Sequence, residues 1–259
     1  MRALVTGGAG FIGHHLVRAL LDVGHEVVVL DDFSSGLRVR LEPLGDAIRV
    51  IEGSVTEADA LDEAAAGCEI IFHLAAVASV ERSFVEPVLT DDINVGGTIA
   101  VALAAARQEA RRIIVASSSA VYGVPDSLPC RETMRPAPES PYGVGKLAAE
   151  GYLHTLGSHL NVETVALRLF NVYGPGQDPH SDYAAVIPLF ITALLEGRSP
   201  VINGDGGITR DFVYVDDVAS AMLLAASSPT GAGRTLNIAS GEETSLLDLL
   251  AAIGAATGT

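Results

Sequence analysis

Tyr142 and Lys146 stand four residues apart in the stretch SPYGVGKLAAE, and Lys146 is the single lysine of the chain. On a helix, positions i and i+4 share a face with Cβ atoms about 5–6 Å apart, and Pro141 suits a helix start. An ammonium beside a phenol favours the phenolate. It lowers the tyrosine pKa from its usual ~10 toward neutrality, where the side chain can act as a base. Lysine suits that task better than arginine, because a compact charge on a flexible stem can serve two neighbours at once. An exposed helix pair is the plain structural alternative. It explains poorly why a chain that takes every other permanent positive side-chain charge from arginine keeps one lysine here.

A second group of residues points to a phosphate. TGGAGFIG places Gly7, Gly10 and Gly13 between a first apolar run and a first helical pattern. Glycines at these positions permit a tight turn, close approach of the backbone to a pyrophosphate, and close packing of helix on strand. The helix start then offers free amides and the positive end of a dipole. The next apolar run, EVVVLD, ends in Asp31, followed by Asp32, at the spacing of ~20 residues where a carboxylate can accept both hydroxyls of a ribose. An acid there disfavours a 2′-phosphate, so NAD is expected over NADP. A third group, Ser117, Ser118 and Ser119 in RRIIVASSS, falls at the end of a central apolar run, where open α/β sheets bind ligands. Serines after a strand are otherwise common turn formers.

These residues need elements to hold them. Val- and Ile-rich runs recur as ALVTG, EVVVLD, IRVIEG, EIIFHLAA, RRIIVASSS and ETVALRLFNVYG, separated by longer helical patterns. That alternation predicts a parallel sheet covered by helices on both faces. Ile12, Leu16, Val17, Leu20 and Leu21 share one face of the first helix, and Gly24 marks its C-cap. Beyond about residue 171 the texture changes: the polar loop PGQDPHSDY, a helical AAVIPLFITALLEG, and short pieces around PVINGDG, DFVYV and TLNIAS, read as a smaller lobe.

The 259 residues suffice for one large domain or a domain with a lobe. Mean hydropathy is positive, yet the longest unbroken apolar run, Ile99 to Ala106, falls short of the ~20 residues a spanning helix needs. The N-terminus lacks a signal-peptide layout. A soluble cytoplasmic protein with no membrane association is the expectation. The net charge of −16 argues against nucleic acid. Cys68 and Cys130 have no CxxC spacing, so neither a disulfide framework nor a metal site is expected.

Taken together, Gly7/Gly10/Gly13, Asp31, HLAA at His73 to Ala76, Asn94 in NVGGT, SSSAVYG, Tyr142/Lys146, RLFNVYGP and RDFVYVDDVA resemble the extended short-chain dehydrogenase/reductase family. The resemblance is closest to its NAD-dependent nucleotide-sugar 4-epimerases of the UDP-glucose 4-epimerase type. It covers nearly the whole chain, with the motifs in family order. It implies an α/β fold, a Rossmann-type doubly wound sheet at residues 1–171 binding NAD, and a smaller C-terminal substrate lobe at 172–259 that interleaves with the sheet.

The resemblance also implies roles. Phe11 and Ile12 would meet the pyrophosphate through their amides, and Asp31, Asp32, Phe33, Ser34, Ser35 and Gly36 would surround the adenosine ribose, with Ser54 and Val55 by the adenine. Leu74, Ala75 and Ala76 would line the cofactor, and Asn94 would support the site. Tyr142 would be the base, Lys146 its electrostatic partner and ribose ligand, and Ser118 the catalytic hydroxyl, with Ser119 its neighbour. Phe170 would border the nicotinamide. Asn171 and Arg210 would hold the diphosphate of a nucleotide sugar, a UDP-sugar by this resemblance, and Val186 and Asn203 correspond to further substrate positions. Relatives dimerise through two helices, and TIAVALAAARQEA with PYGVGKLAAEGYL offers suitable small residues, so a homodimer is expected.

Three positions depart from the family pattern. Ser54 replaces a frequent Asp, and Gly145 a small hydroxyl residue. The chain stops at Thr259 where relatives continue with further substrate residues, so the resemblance leaves open either an incomplete substrate site or a shortened form. Dehydratases and decarboxylases of the family carry acids after the catalytic Ser/Thr, where this chain has Ser119 and Ala120, which favours plain epimerisation or reduction. A non-catalytic NAD-binding sensor is the alternative from another class, and it has no need for Tyr142, Lys146 and Ser118 together.

Overall fold

The computed structural model describes residues 1–179, 184–202 and 204–258. The first half alternates strand and helix: β1 (Arg2–Thr6), α1 (Phe11–Asp22), β2 (Glu26–Asp31), β3 (Ile48–Glu52), α2 (Ala58–Ala65) and β4 (Ile70–His73). Then come α3 (Val80–Val85), α4 (Pro87–Asp91), a π-helical turn Asp92–Gly96, α5 (Gly97–Arg107), β5 (Arg112–Ser118), α6 (Pro141–Leu160) and β6 (Glu163–Leu169). The remainder holds β7 (Asn171–Tyr173), α7 (Val186–Leu195), β8 (Thr209–Arg210), β9 (Phe212–Tyr214), α8 (Val215–Ser227), β10 (Arg234–Ile238), β11 (Thr244–Ser245) and α9 (Leu246–Thr257).

Seven strands form one sheet in the order β10-β6-β5-β4-β1-β2-β3, and every pairing within it is parallel. Strands covered on both faces need no polar alternation, which is why EVVVLD and RIIVAS read as unbroken apolar runs. One face packs Val5, Val29, Phe72 and Ile114 against Leu16, Val17 and Leu20 of α1 and Val218 and Met222 of α8. The other packs Leu4, Val28, Ile71 and Ile113 against Leu61 of α2, Val101 and Ala105 of α5 and Leu153 of α6. The order reverses between β1 and β4, opening a crevice at their carboxyl ends, the usual ligand site of such sheets.

Two segments differ from the sequence expectation. TLNIAS, read there as part of the smaller lobe, contributes β10 to the main sheet beside β6, and α8 covers that sheet. The β10 residues are only half-buried, because the strand sits at an edge. ETVALRLFNVYG is broken at Phe170: β6 pairs in the main sheet, and β7 leaves it to pair with β9. A third cluster, Phe190, Leu249 and Ile253, joins α7 to α9 outside the sheet.

The helical stretch Pro87–Arg107 is the one described segment long and apolar enough to cross a membrane by length and composition, a length the longest apolar run in the sequence did not reveal. Half of it is buried within the protein, with Val101, Ala102, Ala104 and Ala105 packed in the core.

Candidate active site

The glycine turn opens directly off β1. Gly7 adopts φ +70°, and a Cβ there would come within 2.7 Å of the Ala75 backbone nitrogen. Any side chain would therefore push the turn away from the segment after β4. A Cβ on Gly13 would lie 2.1 Å from the Gly7 carbonyl oxygen, so close packing of α1 on the turn requires glycine. Gly10 is the N-cap of α1, and no side chain caps the helix. The first-turn amides, including those of Phe11 and Ile12, thus lack intrahelical partners and keep a positive dipole end for an anion.

Asp31 ends β2 and is buried. Its Oδ2 accepts from the Ala9 amide at 2.8 Å and its Oδ1 from the Phe33 amide at 2.9 Å. The carboxylate therefore ties the glycine turn to the loop after β2, a role the sequence did not reveal. Each oxygen keeps lone pairs for a further donor. Burial pushes its pKa up, while the two amides and Arg40 pull it down. Gly36 closes over it, since a Cβ there would sit 2.5 Å from Oδ1. Asp32 is exposed and accepts from the Ser34 amide and hydroxyl, Ser35 is exposed beside it, and Phe33 carries the Arg38 guanidinium over its ring. The Ser54 hydroxyl bonds Thr56 locally, and Val55 packs beneath Gly97. Arg40, outside the sequence expectation, donates to the Ala9 carbonyl at 3.1 Å and to that of Gly176 at 2.7 Å, joining the turn to the loop after β7.

Leu74, Ala75 and Ala76 line the crevice after β4 and are half-buried. Asn94, buried in the π-helical turn, accepts from the Val77 amide at 2.8 Å and donates to its carbonyl at 3.1 Å. One amide side chain thus fixes both backbone groups of the residue that follows this lining. A π turn inside a helix is frequent at functional sites, and here it aims Asn94 at the loop. Beneath lies a buried chain that the sequence did not disclose: Thr6 to His73 at 2.8 Å, His73 to Thr98 at 3.0 Å, and Thr98 to the Asn94 carbonyl at 2.6 Å. Burial, then the charge of Lys146, pushes the His73 pKa down to about 3, so this imidazole is neutral.

Pro141 opens α6, and the Ser140 side chain caps it by accepting from the Gly143 amide at 3.1 Å. The helix carries Tyr142 and Lys146 toward Ser118 at the end of β5. Burial raises the Tyr142 pKa, and a side-chain hydrogen bond from Ser118 acts against it. This corrects the expectation that the ammonium dominates: in this arrangement desolvation does. Lys146 Nζ donates to the Ala116 carbonyl at 2.9 Å and lies 5.8 Å from the Tyr142 ring centroid. It retains two further donor hydrogens.

On the lobe side, Phe170 follows β6 and donates to the Ile238 carbonyl at 3.0 Å. The Asn171 side chain donates to the Asp211 carbonyl at 2.7 Å, and its own oxygen has no donor among the described residues. Asn171, Val186 at the start of α7, and Arg210 all line a cavity of about 820 Å³ walled by Phe190, Phe212 and Leu246. Arg210 is exposed, donates only to the Thr209 carbonyl, and forms no ion pair among the described residues. Asn203 lies outside the described residues. No group of three or more His, Cys, Asp or Glu side chains gathers as metal ligands among the described residues.

The sequence matches the NAD dependent epimerase/dehydratase family over residues 3–239. This chain belongs to that family. It is 44% identical to a UDP-glucose 4-epimerase of Mycolicibacterium smegmatis, over all of this chain and 83% of that protein. It superposes with a TM-score of 0.94 and 38% identity on a UDP-N-acetylglucosamine 4-epimerase of Methanobrevibacter ruminantium solved with UDP-N-acetylmuramic acid, covering all of this chain and 82% of that one. A UDP-glucose 4-epimerase of Thermus thermophilus solved with NAD superposes at 0.89 with 36% identity, covering all of this chain and 84% of that one.

NAD is the cofactor of an NAD dependent epimerase/dehydratase family member, and the residues present fit it. The side-chain-free cradle at Gly7, the uncapped start of α1 and the carboxylate of Asp31 lie together at the carboxyl ends of β1 and β2. Because Asp31 is fixed by two amides, it cannot swing aside for a 2′-phosphate. Titrating NADH and NADPH into cofactor-free protein should give NADH binding at least tenfold tighter. Tighter NADPH binding would remove Asp31 from the ribose site.

Proposed function

We propose that this protein is an NAD-dependent nucleotide-sugar 4-epimerase of the UDP-glucose/UDP-galactose type. The observation that carries the reading is the hydroxyl pair Ser118 and Tyr142, backed by buried Lys146, with the non-acidic Ser119 and Ala120 after Ser118. Elimination needs an additional acid and base, and these positions supply neither.

In this reading residues 1–171 hold the dinucleotide and much of 172–259 holds the substrate. Phe11 and Ile12 give their amides to the pyrophosphate, Asp31 accepts ribose hydroxyls, Leu74 to Ala76 line the cofactor, and Phe170 borders the nicotinamide. Arg210 and the Asn171 side chain hold the sugar nucleotide's diphosphate, a task suited to a guanidinium with no carboxylate partner among the described residues. Bound NAD supplies a hydride acceptor that later returns the hydride. Tyr142 first releases its own proton, which burial holds on the phenol; the phenolate Oη, stabilised by Lys146 Nζ, then takes the proton of the sugar C4 hydroxyl while Ser118 Oγ holds the same oxygen by hydrogen bond. The 4-keto sugar then turns over about its diphosphate anchor, and Tyr142 returns the proton on the other face. No net redox change results.

Separate incubation with UDP-galactose, UDP-N-acetylgalactosamine and UDP-glucuronate tests this. Interconversion of UDP-galactose and UDP-glucose is expected. A 4-keto, 6-deoxy product or loss of carbon dioxide from the uronate would replace epimerisation with dehydration or decarboxylation.

A homodimer belongs to the same proposal. Phe84 and Val88 are 60% and 72% exposed, and Leu103, Val144 and Tyr152 are also exposed on the neighbouring α5 and α6. A second copy seated on this face would cover them. Sedimentation velocity should give a dimer, and Leu103→Asp with Tyr152→Asp should give a monomer. A monomeric parent at micromolar concentration would dismiss it.

A further inference from the structure

Lys146 shares its helix face with a second charged residue one turn further on. Glu150 is buried, and so is its partner Arg168 on β6, whose Nε and Nη2 donate to the two carboxylate oxygens at 3.0 and 2.8 Å. The Ser117 hydroxyl, from the residue before Ser118, also donates to Glu150 Oε1. Arg168 Nη1 donates to the Tyr122 hydroxyl at 2.9 Å, which donates to Asn237 of β10 at 2.7 Å. A buried ion pair is costly to form, and replacing it by apolar groups is often neutral or stabilising, so stability gives no strong reason for it here. Its location does: it lies on the Lys146 stripe of α6 and grips the strand that ends in Ser118.

We infer that Glu150 is a positioning residue for Lys146: its carboxylate, fixed by Arg168 and Ser117, keeps the buried ammonium charged on the face shared with Tyr142. The surroundings of Lys146 leave this task to Glu150. From β4 it meets His73, which is neutral. From β5 it meets the Ala116 carbonyl. From the π turn Asn94 packs against Gly145 next to it, and from its own helix Tyr142 is uncharged at neutral pH. Burial pushes the Lys146 pKa down to about 8, and Glu150 is the charge that opposes this. Removing that charge should lower the value further, so that the amine loses its proton within the working range and the alkaline limit of activity moves down.

The single lysine makes this directly measurable. Protein grown with 15Nζ-labelled lysine gives one side-chain signal, whose titration reads Lys146 with no substrate present. The parent midpoint should lie near 8, and Glu150→Gln should move it down by about 1 unit or more. Local loosening would do the opposite, because hydration returns the amine toward its ordinary 10.5. If Arg168, left unpaired, prevents folding, Glu150→Gln with Arg168→Met strands no charge and should show a smaller downward shift. An unchanged or raised midpoint in the folded variant overturns the inference. The inference rests on the role proposed for Lys146, and a pH profile of epimerisation separates the two. A lowered midpoint with an unmoved alkaline limb upholds Glu150 and rejects Lys146 as the partner of Tyr142.

Discussion

Tyr142→Phe should lose at least about two orders of magnitude in turnover while still binding UDP, equivalent to roughly 2.7 kcal/mol of transition-state stabilisation. The ring remains to fill its half-buried volume at the start of α6, so folding and cleft shape should survive. What disappears is the one hydroxyl that faces Ser118 from the helix. Without it the C4 proton has no acceptor, and hydride departure would leave a protonated carbonyl. The readout is the absorbance of reduced nicotinamide after adding UDP-galactose, beside a calorimetric UDP titration. Normal reduction in the variant would dismiss Tyr142 as the base. An unaltered UDP affinity with no reduction is the expected pair of results.

Lys146→Ala should fall as far, by about 10²-fold or more in kcat/KM, and should also weaken NADH binding, which Tyr142→Phe leaves intact. Two separate jobs end with the amine. Its charge stabilises the phenolate, and the donor hydrogens not used on the Ala116 carbonyl are those proposed to reach the ribose. Lys146→Arg should not restore activity, because a planar guanidinium holds its donors in a fixed fork and cannot serve the Ala116 carbonyl and a second partner as a compact ammonium does. By contrast, exposed pairs such as Arg49 with Glu63 hold little stability, and Arg49→Ala should leave turnover near parent. Equal activity in Lys146→Ala and Arg49→Ala would mean that the single lysine has no catalytic part. Thermal melts decide whether either loss reflects unfolding.

The features legible in the sequence were those with a fixed spacing. Gly7 and Gly13 were legible because only glycine tolerates the contacts they make, Gly10 because it completes their fixed spacing, and Tyr142 and Lys146 because i and i+4 share a helix face. Five of the apolar runs gave strands because both sheet faces are covered there, whereas IRVIEG gave the largely exposed edge strand β3. What escaped were relations without a period. β10 is a short, half-buried edge strand, so its composition looked like that of a lobe strand, and only its pairing with β6 places it in the sheet. Asp31 reads as a strand end, and nothing in the chain order says that Ala9 and Phe33 hold it. The His73–Thr98 chain joins residues 25 apart on different elements. Glu150 did leave a signal, an acid four residues after Lys146 within KLAAE, but its burial depends on Arg168 arriving from β6. Tyr142 was found by spacing, yet its desolvation could be judged only once the cleft was built.

The central claim is transient oxidation at C4, and following the C4 hydrogen tests it most directly. UDP-galactose carrying deuterium at C4 should yield UDP-glucose with that deuterium still at C4, in ordinary water, because the hydrogen leaves and returns as hydride and never exchanges with solvent. Loss of deuterium to the solvent, or its appearance at another carbon, would contradict the account and remove Tyr142 from the role assigned to it.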